Sequence, residues 1–574
     1  MSGPRIWQAD KPLPEYPQNL ALMLNRNVER LGDRPLYQEA LNGPYTTLSW
    51  RDFQRDIVSI QDSLTEHGLK PGDRVAILSP NRKEMLEFEL AVMSMGAVAV
   101  PIFAGYPSHQ AEMLIEFCDP LMIAVADTEQ YRKLAFPHKY RLIVHFDKLE
   151  CQLHHNTILL SKLISSASSG KILGEEVARD TTCLMMYTSG TMGKPKCVQL
   201  THDNIISQQA AMQMLWQIDN NDRLLSYLPW HHSFGGIFEK YAALYNGALL
   251  SLEHGYGKNI EVLLENWIRV KPTTFFSVPR VYQQLTTQVL RNPSLEREIF
   301  HDQLRFIFTA AAPLPKSISD HFQNRGIPVY EGWGLTETSP CCTISDPSIP
   351  REPGVVGKPI PGVILKLAED GEIFVKGPNV MRGYFRNPEA TEIAITKDHW
   401  FATGDVGDFV DAGLRLISRK DRIFKLSNAE KVVPTEIENL ILENCSFLSH
   451  AYVTGSGRDF PVALLFPNKA MLAGKPDESR IKSGCHCPEN MPDLAHCLEH
   501  CLKKLSENID ARYMRPLAAM LIDYELSIEK EELTPSMKLA PNTIASVFKA
   551  KIELLYNGNG QVNDSKDVYI LIWE

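Results

Sequence analysis

No stretch of this 574-residue sequence is both long and apolar enough to span a bilayer. The longest apolar run, Leu90 to Gly105, is interrupted by Gly96 and Pro101 and reads as a helix feeding a buried strand. A long basic run with interleaved aromatics is also missing. Lys and Arg total 59 against 69 Asp and Glu, a formal charge of -10, so nucleic acid is not an expected partner. The segment Met1 to Gln18 lacks the basic-then-apolar plan of a secretory signal. A cytoplasmic location is therefore expected, with no transmembrane segment and with peripheral membrane contact left open. Internal repeats and low-complexity tracts are absent too.

Cysteine is present but unframed. Eleven residues without an export signal are expected to be reduced thiols rather than disulfides. One group is compact: Cys485, Cys487, Cys497 and Cys501, with His486, His496 and His500 among them, make a candidate structural zinc set. Its spacing matches no common finger, and a surface insertion with chance clustering is the competing reading.

A composition 44% hydrophobic and 22% charged is that of a globular chain, and the length calls for two or more domains. From about Leu48 to Phe424, short apolar runs alternate with amphipathic ones. Arg74 to Leu78, Leu224 to Leu228, Thr274 to Val278 and Leu304 to Phe308 read as strands, and a helix is expected between Pro315 and Gly326. Strand alternating with helix predicts an α/β fold with a large N-terminal domain of mixed, mostly parallel sheets flanked by helices. Around Arg419 the character changes, and a small mobile α+β C-terminal domain is expected, dividing the chain into 1–418 and 419–574. A helix over Pro434 to Asn444 opens it. Lys469 to Asp493 reads as a loop. One helix carries Ile544, Val547, Phe548, Ile552 and Leu555 after an Asn542 or Thr543 cap, and Asp567 to Glu574 reads as a strand.

The sharpest local feature follows the strand Cys183 to Met186: Tyr187-Thr188-Ser189-Gly190-Thr191-Met192-Gly193-Lys194-Pro195-Lys196. Two glycines let a backbone approach closely, three hydroxyls donate, and two lysines offer charge to phosphate oxygens. The Walker spacing is not there. On composition alone, a Gly/Ser/Thr-rich connector competes evenly.

Further segments decide between them. Ala310 to Leu314, Gly332-Trp333-Gly334-Leu335-Thr336-Glu337, Phe401-Ala402-Thr403-Gly404-Asp405, Arg419 to Lys425 and Thr534 to Leu539 follow in order. With the loop they resemble the motif series of the adenylate-forming (AMP-binding) superfamily of acyl-CoA synthetases, adenylation domains and luciferases, over about residues 30 to 556. Within it the chain is most similar to long-chain fatty acyl-CoA synthetases, through Leu225 to Pro229, Val278 to Arg280, Gly371 to Thr391, Ala463 to Asn468 and Leu526 to Leu539.

The resemblance implies an ATP-dependent, AMP-forming acid–thiol ligase. It would convert a carboxylic acid, expected to be a medium- or long-chain fatty acid, to an acyl-adenylate and then to a thioester of coenzyme A. It implies Mg²⁺ on Glu337 and on Thr191. Thr336 would meet the α-phosphate, and Thr188, Ser189, Gly190, Thr191, Gly193 and Lys196 the outgoing phosphates. Ala311, Ala312, Pro313, Trp333 and Gly334 would hold adenine, and Asp405 and Arg419 the ribose. Lys538 would neutralise the attacking oxygen and the α-phosphate, with His232 near the mouth of the acyl site. Asp421 would be the hinge and Lys425 part of the second-state loop.

The series has departures. Met192 and Cys197 replace the usual Thr and Gly, Ser418 and Asn428 replace glycines, and Ala540-Pro541 replaces the basic pair that follows the catalytic lysine in many fatty acyl-CoA synthetases. The last change keeps open a second acceptor, a separate acyl or peptidyl carrier protein. A non-catalytic nucleotide sensor or interaction protein is the reading from another class. A serine hydrolase built on His231-His232-Ser233-Phe234-Gly235 is a third, disfavoured by a bulky residue where a nucleophile elbow needs a small one.

Overall fold

The computed structural model describes residues 5–40, 44–164, 170–188, 196–310, 312, 314–352, 354–445, 447–469, 488, 490–507, 509, 511–528, 530–534, 538–557 and 567–572. Three sheets make up the large N-terminal domain. In the eight-stranded sheet, Val98–Ile102 lies between Arg74–Leu78 and Thr182–Thr188, parallel to both, and all five residues of this central strand are buried. Met122–Val125, Leu142–His145 and Thr157–Leu159 extend it in parallel. Antiparallel pairing enters at the other edge, where Lys196–Thr201 turns back on Thr182–Thr188 and then pairs with Gly383–Tyr384.

The nine-stranded sheet runs in parallel from Leu249–Leu252 through Arg223–Ser226, Thr274–Ser277 and Phe306–Thr309 to Val329–Trp333. Helices follow strands of both sheets for local reasons. Thr201 and Asn204 form a capping box ahead of His202–Trp216, and Pro279 supplies the preset φ at the start of Pro279–Arg291. A third sheet of five strands is antiparallel throughout and joins Arg5–Gln8 to Ile364–Leu367, Glu372–Lys376, Phe401–Val410 and Gly413–Arg419.

One continuous core joins residues from Leu20 to Leu414. Separate cores take over from Leu426 to Ile572 and from Tyr452 to Leu555. The smaller C-terminal part has the sheet order Leu448–Thr454, Val462–Pro467, Ala518–Leu521 and Val568–Leu571, with Pro434–Asn444 and Met491–Glu507 against it. The mixed α/β architecture is therefore that expected from the alternation of strand and helix.

Two local expectations need correction. The C-terminal helix is two helices, Pro541–Val547 and Lys549–Tyr556, broken at Phe548, and the first starts at Pro541 with Ala540 as its cap rather than Asn542 or Thr543. Ile544, Phe548 and Leu555 are buried and Ile552 packs partly buried beside them, whereas Val547, expected on the same side, is exposed, so most of the periodicity survives a break it does not reveal. The expected loop Lys469 to Asp493 runs into the helix Met491–Glu507; residues 470–487 and 489 lie outside the described residues. Cys485 and Cys487 of the zinc set fall there. Cys497 and Cys501 are on that helix, and no cluster of three or more metal-capable side chains occurs among the described residues. No helix among the described residues is long and apolar enough to cross a membrane.

Candidate active site

Parallel strands deliver loops from their carboxyl ends, the usual place for a ligand crevice in such sheets. Thr182–Thr188 ends where the 187–196 loop begins, Phe306–Thr309 ends at Ala310, and Val329–Trp333 ends at Gly334-Leu335-Thr336. Gly334 has to be glycine, because a Cβ there would stand 1.7 Å from the carbonyl oxygen of Pro340. That close approach sets the turn carrying Thr336 and Glu337.

Asp405 is the best-defined anchor. It is buried at the antiparallel pairing of Phe401–Val410 with Gly413–Arg419, directly opposite Arg419. Trp333 donates its indole N–H to Asp405 Oδ2 at 2.9 Å, and Arg419 Nη1 donates to Asp405 Oδ1 at 2.8 Å and to the Thr403 carbonyl at 2.9 Å. Three sequence motifs therefore meet at one carboxylate. The Arg419 guanidinium is held above its usual range: burial works against that, and Asp405, joined by Asp421 and Glu337, overcomes it.

Glu337, also buried, accepts from the Tyr384 hydroxyl through Oε1 at 2.9 Å. Its Oε2 has no protein partner among the described residues. Lys196 stands with its ammonium 4.8 Å from the Tyr384 ring centroid and has no carboxylate partner among the described residues. A hard carboxylate oxygen left free beside an unneutralised lysine suits a divalent cation and phosphate oxygens, so the donor set fits Mg²⁺ with a nucleoside triphosphate. Asp405, with Trp333 and Arg419 around it, fits the hydroxyl-bearing end of a nucleotide.

His231 and His232 close another side. Asn81 pins their loop, donating to the Leu228 carbonyl at 2.7 Å and accepting from the Trp230 N–H at 2.9 Å. Burial, then Lys538, lowers His232 to about 4, and burial with His232 lowers His231 to about 3. Both residues are only partly exposed, and His231 Nε2 is buried without a hydrogen-bond partner among the described residues. Near neutral pH His232 is uncharged. Its Nδ1 accepts from the Phe234 N–H at 3.3 Å, which assigns the proton to Nε2. Ser233 Oγ lies 3.0 Å from Thr336 Oγ1 and bonds to neither His231 nor His232, so this serine lacks the histidine partner that a hydrolase nucleophile needs.

Lys538 reaches this cleft from the small C-terminal part. Its side chain is solvent-accessible yet surrounded by protein, and burial lowers its ammonium pKa while Asp405 opposes that and Arg419 adds to it. It has no carboxylate partner among the described residues. Gln110 Nε2 donates to Glu531 Oε1 at 2.9 Å, bonding the large domain to the segment that carries Lys538.

The structure thus gathers Lys538, Asp405, Arg419, Trp333, Gly334, Glu337, Thr336, His232 and Lys196 around one cleft. Thr188 is opposite Lys196 in the adjoining strand pair, and Ala312 is exposed. Ser189, Gly190, Thr191, Gly193, Ala311 and Pro313 lie outside the described residues. Lys425 is exposed on a two-stranded ribbon, Phe424–Lys425 with Lys431–Val432, and its side chain bonds to no cleft residue among those described. Sequence reasoning missed Tyr384 and Gln110, and it weighed Ser233 only as a hydrolase nucleophile. A tyrosine in a short strand reads as core, and the partners of all three are distant in sequence.

Comparison with known proteins agrees with this geometry. The AMP-binding enzyme family matches residues 24–385, and the AMP-binding enzyme C-terminal domain matches residues 421–486. Among curated proteins, the chain is 26% identical to the long-chain-fatty-acid–CoA ligase FadD15 of Mycobacterium bovis, covering 94% of this chain and 97% of that protein. It is also 26% identical to human long-chain-fatty-acid–CoA ligase 1, covering 93% and 85%. Among solved structures, the O-succinylbenzoate coenzyme A synthetase (MenE) of Bacillus subtilis with AMP is similar at a TM-score of 0.70 and 23% identity, covering 91% and 97%. The adenylation domain of a carboxylate reductase of Mycobacterium chelonae reaches 0.75 at 19% identity, covering 94% and 91%. With a family match over more than half its length, and with the family's motifs converging on one cleft, the chain is a member of the AMP-binding enzyme family, the adenylate-forming acid–CoA ligases.

Proposed function

We propose that this enzyme activates a medium- or long-chain fatty acid with ATP, giving acyl-AMP and pyrophosphate, and then transfers the acyl group to the thiol of coenzyme A. The observation that carries the first step is the convergence of Lys538, Asp405 and Arg419 from both parts of the chain on the cleft that holds Glu337 and His232. A carboxylate approaching an α-phosphate brings two anions together, so cations are needed where charge accumulates. An unpaired Lys538 meets the attacking carboxylate oxygen and the α-phosphate, positioning both reactants and lowering their repulsion. Lys196 and Thr188 take the outgoing phosphates. Asp405 and Arg419 bind the ribose, Trp333 and the Ala310–Leu314 turn flank adenine, and Thr336 donates to the α-phosphate. Mg²⁺ held by Glu337 would neutralise phosphate oxygens as the pyrophosphate charge develops.

An apolar acid tail is supported by the wall next to His232. Phe234, Phe238, Phe276 and Phe308 are buried and pack edge to face or tilted, with centroids 4.9 Å apart for Phe238 and Phe308 and 5.7 Å for Phe234 and Phe308. The two relatives named above as long-chain-fatty-acid–CoA ligases favour the same substrate class. In the second step the thiolate attacks the acyl carbonyl carbon, the carbonyl oxygen takes the charge, and AMP leaves. Neutral His232 offers its Nε2–H on that side of the cleft.

Access for the thiol requires Lys538 to withdraw, with the chain divided into domains at 418/419. Lys420 is tied to the large domain through Asp370 at 2.7 Å and Glu372 at 2.6 Å, whereas Arg422 is tied to Glu438 of the small domain. Asp421 lies between these opposed anchors and serves as the hinge, with Lys425 entering the second arrangement. A cytoplasmic location belongs to the same reading. The test is carboxylate-dependent exchange of labelled pyrophosphate into ATP over acids of graded chain length. Exchange peaking with fatty acids supports the reading, and none with any acid refutes it. One observation favours a carrier-protein acceptor: Ala540 and Pro541 cap and open a helix where a basic pair would offer charge to a nucleotide. Thioester yields with coenzyme A and with carrier phosphopantetheine separate the two.

A further inference from the structure

We propose that Tyr384 is a positioning residue: its hydroxyl fixes the Glu337 carboxylate for the divalent cation, and its ring supports the phosphate-facing ammonium of Lys196. The inference rests on the ATP-dependent reading above and deepens it at one residue to which no role has been given.

Its basis is the way one short segment grips Glu337 twice. Met381 donates its main-chain N–H to the Glu337 carbonyl at 2.8 Å, and three residues later the Tyr384 hydroxyl donates to Glu337 Oε1 at 2.9 Å. Main chain and side chain of the carboxylate residue are therefore set by the same stretch of backbone. That stretch is itself constrained. Thr391 Oγ1 accepts from the Tyr384 N–H at 2.9 Å, and Gly383, at φ +149°, leaves no room for a Cβ, which would come 2.7 Å from the Thr391 side chain.

The other half of the arrangement comes from strand pairing. Gly383–Tyr384 pairs antiparallel with Lys196–Thr201, Tyr384 opposite Val198, and this places the Lys196 ammonium 4.8 Å from the Tyr384 ring centroid. An ionised carboxylate can only accept, so the Tyr384 hydroxyl is the donor in its bond to Glu337 Oε1. A single donor on Oε1 fixes the carboxylate plane and leaves Oε2 for the cation, the arrangement by which outer partners orient metal ligands. Lys196 stays over the face of the same ring. The residue thus joins the cation that meets the phosphates to the carboxylate that meets their metal.

The two functions of Tyr384 separate by substitution. Tyr384→Phe removes only the oxygen; Tyr384→Leu removes the ring as well. Binding of α,β-methylene-ATP, which cannot transfer its adenylyl group, is measured by calorimetry across Mg²⁺ concentrations and without Mg²⁺, with thermal melts confirming the folded state. Tyr384→Phe is expected to raise the half-saturating Mg²⁺ concentration on the order of tenfold while metal-free nucleotide affinity stays within about twofold of wild type. Tyr384→Leu weakens metal-free binding as well. In a Glu337→Gln background the Mg²⁺ effect of Tyr384→Phe disappears. An unchanged Mg²⁺ midpoint in Tyr384→Phe overturns the proposal, as does metal-free binding weakened equally in both variants. A wild-type protein that binds no nucleotide refutes the ATP-dependent reading itself, and this inference with it.

Discussion

Replacing Asp405 with Asn tests the nucleotide anchor with the smallest change of shape. The carboxylate accepts one bond from the Trp333 indole at 2.9 Å and one from Arg419 at 2.8 Å. An asparagine can keep one of them through its carbonyl oxygen. Its amide nitrogen, however, turns a donor toward a second donor, and the charge opposite Arg419 is lost. Arg419 is about two-fifths exposed (39%), so solvent screens the pair, and its loss costs stability roughly 1 kcal/mol rather than the several expected of a sealed pair. The melting temperature should move by only a few degrees. Nucleotide binding suffers more, because a ribose hydroxyl loses a charged acceptor worth about 1.5–3 kcal/mol, a 10- to 150-fold rise in the dissociation constant. The assay is calorimetric titration with AMP, which avoids metal and turnover. Wild-type AMP affinity in a folded Asp405→Asn protein would refute the assignment of this carboxylate to the nucleotide.

Asp421→Pro should preserve pyrophosphate exchange and abolish thioester formation. The Asp421 N–H makes no main-chain bond that proline would break, while the ring restricts Lys420 and Asp421 to a narrow backbone range; normal thioester output contradicts the hinge. Gln110→Ala removes the bond to Glu531 and should lower pyrophosphate exchange roughly 2- to 10-fold without changing thioester formation from supplied acyl-AMP. Equal loss in both half-reactions would mean a general lesion. His202, fully buried, is lowered by burial to about 4, so it stays neutral in the folded state while the unfolded chain takes up a proton. Its stabilisation is complete above about 6.5 and is lost as pH falls toward 4, roughly 2 kcal/mol by pH 5. Denaturant midpoints that stay level from pH 7 to 5 would contradict it.

Local order was legible in the sequence where one segment determines its own state. Arg74–Leu78 and Pro434–Asn444 have the expected limits because an apolar run and a proline start carry their own signals. Phe548 shows the converse: a helix break that keeps Ile544, Phe548 and Leu555 buried and turns only Val547 of the expected face outward makes no mark in the periodicity. The five-stranded sheet pairs residues 5–8 with 364–367, and no local pattern encodes such a pairing. At the site, Asp405, Arg419 and Lys538 were legible through motif spacing, and the cleft unites them. Tyr384 was not, since its meaning lies in contacts with Glu337 and Lys196, 47 and 188 positions away. The exposed Lys425 shows that a motif can place a residue in order along the chain without placing it in the cleft.

The central claim is that the Lys538 ammonium is what makes the acid–ATP reaction possible in this cleft. Lys538→Ala is assayed for carboxylate-dependent exchange of labelled pyrophosphate into ATP, alongside calorimetric AMP binding as a control for folding. The account predicts exchange reduced at least 100-fold, as for loss of a single charge-stabilising group, with AMP affinity changed only a few-fold. Exchange at the wild-type rate in a protein that still binds AMP would contradict it.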